Sequence, residues 1–257
     1  MKLKLLAFAL SFALIGGSAA FAEEMAESDD LLPPDQVPGE FSANMTLATD
    51  YIYRGISQTS QDPAIQGGID YSIDTGFYDI GWYAGVWASN IDFDAADDAN
   101  RANAGAIEID AYTGIAGDLM GVGWDVGFLQ YWYPGSHENL EYDFWEVYGS
   151  LGYDFDIFSV SGGIAYSPDF FGGTKDAVYY SADVEVPIYK SLYASGHYGH
   201  QYIEVGEDYS DVKAALGATV LGFDWEVAFI DTFGYTPDGG GSNLDGKRIV
   251  GSVSASF

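Results

Sequence analysis

Residues 41–59 read FSANMTLATDYIYRGISQT. Phe41, Ala43, Met45, Leu47, Tyr51 and Tyr53 alternate with Ser42, Asn44, Thr46, Ala48 and Asp50. Neighbouring side chains of a strand point to opposite faces, so this period of two predicts a strand over 41–54 with one apolar and one polar face. Arg54 closes it, a base in a chain whose 9 Lys+Arg are set against 39 Asp+Glu.

The pattern repeats to the C-terminus. Alternating segments run over 41–54, 63–73, 77–89, 106–116, 122–133, 143–153, 158–167, 177–187, 191–201, 210–220, 223–232 and 247–257. The connections 55–62, 90–105, 134–142, 168–176, 202–209 and 233–246 are long, whereas 74–76, 117–121, 154–157, 188–190 and 221–222 are short. Long loops at one end and tight turns at the other, on strands long enough to cross hydrocarbon when tilted, are the pattern of an outer-membrane barrel. The predicted fold is all-β, a transmembrane up-and-down antiparallel β-barrel of about 12 strands. An even count sets both termini on the short-turn, periplasmic side.

The apolar face supports lipid contact. Ile65, Ile69, Trp82, Val86, Ile109, Ile115, Val126, Phe128, Val147, Leu151, Ile164, Val184, Leu216, Trp225 and Val227 lie on it, and the charges there stand at segment ends, Asp143 among them. A Lys or Arg at the bilayer midplane costs about 2–4 kcal/mol, whereas a soluble sheet tolerates many charges. A secreted β-sandwich would alternate against an ordinary core, but it leaves sheet edges to protect, and barrel closure removes them.

Composition agrees. Aromatic residues make up 16% and hydrophobic residues 48% of the 257, with 33 Gly and no Cys, so no disulfide staples the chain. Lys2 and Lys4 precede the apolar run Leu5–Ile15, and Ala20-Phe21-Ala22 fits an A-x-A cleavage site, so 1–22 read as a signal peptide. Residues 23–40, EEMAESDDLLPPDQVPGE, read as an acidic, proline-rich periplasmic linker, and 41–257 as the barrel. Cleavage removes two lysines and no acid, leaving 7 Lys+Arg against 39 Asp+Glu, a net of −32. That balance argues against nucleic acid and anionic lipid surfaces as partners. No segment after residue 22 approaches 18 consecutive apolar residues, so no transmembrane helix is expected.

The stretch LATDYIYRGISQTSQDPAIQGGIDY, followed by GFY and GVWASNIDF, resembles the TorF-family porins, bacterial proteins long catalogued without a function. FWEVYGSLGYDF, AYSPDFFG and GHYGH extend the resemblance over nearly the whole mature chain, and Thr49–Tyr71 is its most specific block. It implies an outer-membrane β-barrel with porin activity, and neither a settled substrate nor agreed functional residues. The last segment, ending in Phe257, resembles the C-terminal signal by which such barrels engage the barrel-assembly machinery.

The polar face is where the chemistry of a pore would sit. It carries Asp50, Arg54, Asp70, Asp79, Glu108, Asp110, Asp125, Glu146, Asp183, Glu185, Asp211, Lys213, Asp224, Glu226 and Arg248, among many Gly, Ala and Ser. Topology sets Asp70, Asp79, Asp125, Asp183, Glu185, Asp224 and Glu226 in the periplasmic half. The bases Arg54, Lys213 and Arg248 lie in the outer half, across the lumen from Glu108, Asp110 and Glu146. The expectation is a transverse field above an acidic vestibule, hence cation preference. The structural reading sets pairs Arg54–Asp50 and Lys213–Asp211 within their own strands.

Weaker signals complete the sequence. Asp92, Asp94, Asp97 and Asp98 cluster in the longest loop, a weak Ca²⁺ candidate without the glycine and terminal Glu of an EF-hand, and a solvated acidic loop that bridges to lipopolysaccharide through divalent ions is the plainer reading. His197 shares a face with Ser195, yet no orienting partner is evident for a hydrolase triad, and His200 points to the other face. No cofactor fingerprint is present. The function expected is a porin-like outer-membrane channel for passive diffusion of small solutes. A non-conducting surface barrel or adhesin and a lipid hydrolase are the alternatives.

Overall fold

The structure is a computed structural model, described over residues 38–93, 104–234 and 246–257. The signal peptide and most of the 23–40 linker lie outside those residues, as do Asp94, Asp97 and Asp98.

The strands are β1 (Glu40–Ala48), β2 (Ile52–Tyr53), β3 (Ile56–Ser57), β4 (Ala64–Phe77), β5 (Ile80–Asn90), β6 (Ile107–Leu119), β7 (Val122–Trp132), β8 (Phe144–Asp154), β9 (Ser159–Ser167), β10 (Ala177–Tyr189), β11 (Leu192–Ile203), β12 (Tyr209–Val220), β13 (Phe223–Phe233) and β14 (Arg248–Ser256). All but β2 and β3 form one closed barrel, each strand antiparallel to its neighbours in sequence. The seam joins β1 to β14, pairing Leu47 with Val253, and Ala43 and Phe257 exchange both backbone hydrogen bonds. Closure leaves no strand edge unpaired, which hydrocarbon requires.

The apolar face points outward as expected. Ile65, Ile69, Val126, Leu151, Ile164, Leu216, Trp225 and Val227 are each more than half exposed. Apolar surface of this extent is of the kind that lipid-facing barrels present. Two turns fall later than the sequence suggested, because β4 runs on to Phe77 and β6 to Leu119. Tyr78–Asp79, Met120–Gly121 and Leu221–Gly222 all take positive φ, the geometry that twists a two-residue hairpin loop to match its strands.

The main correction concerns β1. It ends at Ala48, and the segment behind it turns into the lumen rather than continuing as wall. There Ile52–Tyr53 pairs with Ile56–Ser57 around an Arg54–Gly55 turn, with φ of 46° and 81°. Tyr51 and Tyr53 were expected to face lipid; instead Tyr51 is 2% exposed, edge-on to Trp87, and Tyr53 meets the Tyr131 ring. Alternation lapses at Ala48 and Thr49, where β1 ends, and Tyr51 and Tyr53 then restore the apolar parity, so the lapse reads as part of one longer strand.

The lumen is filled at its loop end. Tyr51, Trp87, Tyr112, Leu129, Tyr131, Tyr133, Phe144, Tyr148 and Phe170 form one buried cluster, and Ile52 packs with Ala215, Ala228, Ile230 and Val250. Toward the turn end many of the inward residues are small and half-buried, among them Ser159, Ser161, Ser195, Ser252 and Ser254, with Tyr193 a large buried exception.

Candidate functional site

Besides the apolar packing of Tyr51 and Ile52, the lumenal hairpin is held by polar contacts drawn from several strands of the barrel. Arg54 Nη2 donates to Glu146 Oε2 on β8 at 2.7 Å, and Nη1 donates to Gln201 Oε1 on β11 at 2.8 Å. The guanidinium carbon lies 4.4 Å from the Tyr179 ring centre, 4.8 Å from Tyr53 and 5.9 Å from Phe170. Tyr51 donates its hydroxyl to Glu108 at 2.7 Å, Tyr53 to the Tyr131 hydroxyl at 3.2 Å, and Thr232 to the Gly55 carbonyl at 2.7 Å. A charge taken out of water at this depth survives only with such partners.

The expected ion pairs exist with other partners. Arg54 bonds Glu146 rather than Asp50. Asp50 accepts from Ser57, Thr59 and Arg248, the last at 3.3 Å. Lys213 bonds Glu226 on the adjacent strand at 2.7 Å rather than Asp211. The intrastrand pairs fail because Arg54 stands at the tip of the lumenal hairpin rather than on the wall, and because Asp211 is taken by His197 and the Tyr179 hydroxyl, so that Lys213 reaches four register positions along β13 to Glu226. Arg54 touches Glu146, one of the three acids it was expected to oppose, while Glu108 accepts from the Tyr51 hydroxyl. Asp110 is 3% exposed, and its Oδ1 has no partner among the described residues.

Asp211 lies against the hairpin tip, where a Cβ on Gly55 would approach its Cβ to 2.6 Å. It also belongs to a second cluster on the turn-end side. His197 Nδ1 meets Asp183 Oδ1 at 2.7 Å, and Nε2 lies 3.1 Å from Asp211 Oδ1 and 2.9 Å from the Tyr179 hydroxyl. His197 therefore has the orienting carboxylates that its own strand did not reveal. Among the described residues no serine hydroxyl bonds it.

The remaining acids divide. Asp70 accepts from the Tyr112 hydroxyl, and Asp125 accepts from Tyr83 at 2.8 Å. Glu185 and Asp224 are half-buried on the inner face. Asp79 is not on the wall: it sits exposed in the β4–β5 turn, where its φ of 54° is needed. Asp92 ties the loop after β5 to the lumenal segment, its N–H donating to the Gln58 carbonyl and its own carbonyl accepting from Ser60.

Gln201, Tyr179 and Phe170 were not foreseen. The signal available was the pair Arg54-Gly55 between Ile52-Tyr53 and Ile56-Ser57, a two-residue hairpin turn inside what was read as strand and loop.

The fold is therefore a closed antiparallel barrel of twelve strands with an apolar exterior and a polar, partly occluded lumen. Solved structures share it at low identity. The NanC porin superposes with a TM-score of 0.51 at 8% identity, covering 85% of this chain and 99% of that one. An outer-membrane channel from Pseudomonas putida F1 gives 0.51 at 9% identity, over 89% and 100%. The chain belongs to the family described as "Bacterial protein of unknown function (Gcw_chp)", which matches residues 34–257. Comparison with curated proteins finds no match.

Proposed function

We propose that the protein is an outer-membrane channel of the porin type, passing small solutes with preference for cations. The observation that carries this reading is the inner wall. Asp70, Asp125, Asp183, Glu185, Asp211, Asp224 and Glu226 lie on it, against Lys213 and the carboxylate-paired His197. Negative walls raise the local cation concentration. The resemblance of Thr49–Tyr71 to TorF-family porins supports the class. The apolar belt supports a bilayer location with lipopolysaccharide around the long loops, and Phe257 at the seam suits recognition by the barrel-assembly machinery.

Reversal potentials in planar bilayers under a salt gradient test the selectivity. The expected sign is that of cation preference, and an anion-selective potential overturns it. Placement in lipid has its own test. Val126→Arg puts a charge on the middle of the exposed belt and should lower stability in bilayers by about 2–4 kcal/mol, measured by the heat-induced band shift. An unchanged midpoint would mean that Val126 does not face hydrocarbon. A second reading, a non-conducting barrel, is favoured by the packed loop-end half, and it predicts no single-channel events under any condition.

A further inference from the structure

We infer that the pocket holding Arg54 is an organic-cation site in the barrel wall, and that the hairpin's own arginine occupies it as a built-in competitor. A guanidinium-bearing solute then displaces the hairpin by taking its place. The site proper belongs to the wall: Glu146 on β8, Gln201 and Tyr179 on β11 and β10, and Phe170 in the β9–β10 loop. It offers a carboxylate oxygen and an amide oxygen at 2.7 and 2.8 Å to two guanidinium nitrogens, with aromatic rings over the flat cation. Carboxylate, amide and ring faces in this order suit a planar cation with several N–H donors, and suit a spherical ion poorly.

Three features argue for a displaceable occupant rather than a fixed strut. The hairpin pairs only with itself, through Ile52–Ser57 and Tyr53–Ile56, and joins no strand of the barrel ladder. Arg54 takes its φ of 46° as the first residue of the hairpin's own two-residue turn, so the tip keeps its shape if the hairpin moves as a unit. The wall supplies acceptors to the two terminal nitrogens and none to Nε among the described residues, so the cation is held at its tip and any alkylguanidinium can make the same contacts. Many of the hairpin's contacts are hydroxyl and ionic, and water can replace those once the hairpin moves out.

The opening part of this inference rests on the channel reading; the site itself does not. A ligand that binds only when the hairpin is out, present at ten times its dissociation constant, multiplies the open-to-closed ratio by about eleven. The probe is agmatine, with tetramethylammonium as a cation that carries no N–H donor. In wild type, agmatine should raise open probability about tenfold and tetramethylammonium should not. In Arg54→Ala there is nothing to displace. Agmatine should then leave opening unchanged while raising the heat-modification midpoint, because it re-pairs Glu146. Glu146→Gln should remove both responses. Equal effects of the two cations, or an agmatine response that persists in Glu146→Gln, overturn the site. If no protein conducts, the channel reading fails, and the midpoint shift in Arg54→Ala still decides whether the site exists.

Discussion

Glu146→Ala is expected to expel the hairpin from the lumen. The pair it breaks is among the most deeply buried in the barrel, each side chain 3% exposed, and the Tyr131 hydroxyl also donates to the same carboxylate at 3.1 Å. Removing one partner of a buried ion pair costs about 3–5 kcal/mol, since the other charge stays behind without compensation. Gln201 and the aromatic rings remain for the guanidinium, but none of them carries a charge. Arg54 lies at the tip of a hairpin with no ladder bonds to the wall, so the cheaper course is for the tip to reach water. Ser57 reports this well, being fully buried in a chain without cysteine. In a Ser57→Cys background, Glu146→Ala should raise the rate of maleimide labelling by about 100-fold or more, the factor that 3 kcal/mol gives when labelling follows the open population. Adding Arg54→Ala should pull the rate back, because no charge is then left unpaired. Labelling that stays at the parent rate in the single variant would mean that the ion pair does not hold the hairpin.

What the sequence made legible follows from which interactions have a period. The outside of a barrel makes the same demand on every second residue, so Ile65, Val126, Ile164 and Trp225 appeared as one face before any contact was known. The lumen imposes no such rule. Arg54 finds Glu146 across 92 positions and Gln201 across 147, distances that alternation cannot encode. His197 likewise needed β10 and β12 placed beside β11 before Asp183 and Asp211 came within reach. One inner-face signal was available and unread. Trp87, Tyr112, Tyr131, Tyr148 and Tyr179 fall on the polar parity, so the face assigned to water carries large rings. A wall of Gly, Ser and acids suggests an open bore; the same wall with those aromatics predicts a packed one.

Those rings also set the second large effect, at Gly85. Valine is a better strand residue than glycine by propensity, and Gly85 is mid-strand in β5, so Gly85→Val reads as stabilising on local grounds. The structure reverses the sign. Register places Gly85 between Asp70 on β4 and Tyr112 on β6. The Tyr112 ring lies across the glycine so that its hydroxyl reaches over β5 to the Asp70 carboxylate. A Cβ at Gly85 would sit 2.5 Å from Cε2, Cζ and the hydroxyl oxygen of that tyrosine. The ring must leave, which adds an overpacking cost of about 1–3 kcal/mol to the loss of a charge-assisted bond of about 1.5–3 kcal/mol. Gly85→Val should therefore lower the heat-modification midpoint by the equivalent of about 3 kcal/mol or more. Tyr112→Ala in the same chain should recover the steric part, since the three atoms nearest the added carbon all belong to that ring. The hydrogen-bond part should not return. Gly149→Ala, whose Cβ meets only ordinary contacts at 3.6 and 3.9 Å, should be tolerated, and equal losses at the two glycines would trace the effect to backbone freedom rather than to the ring.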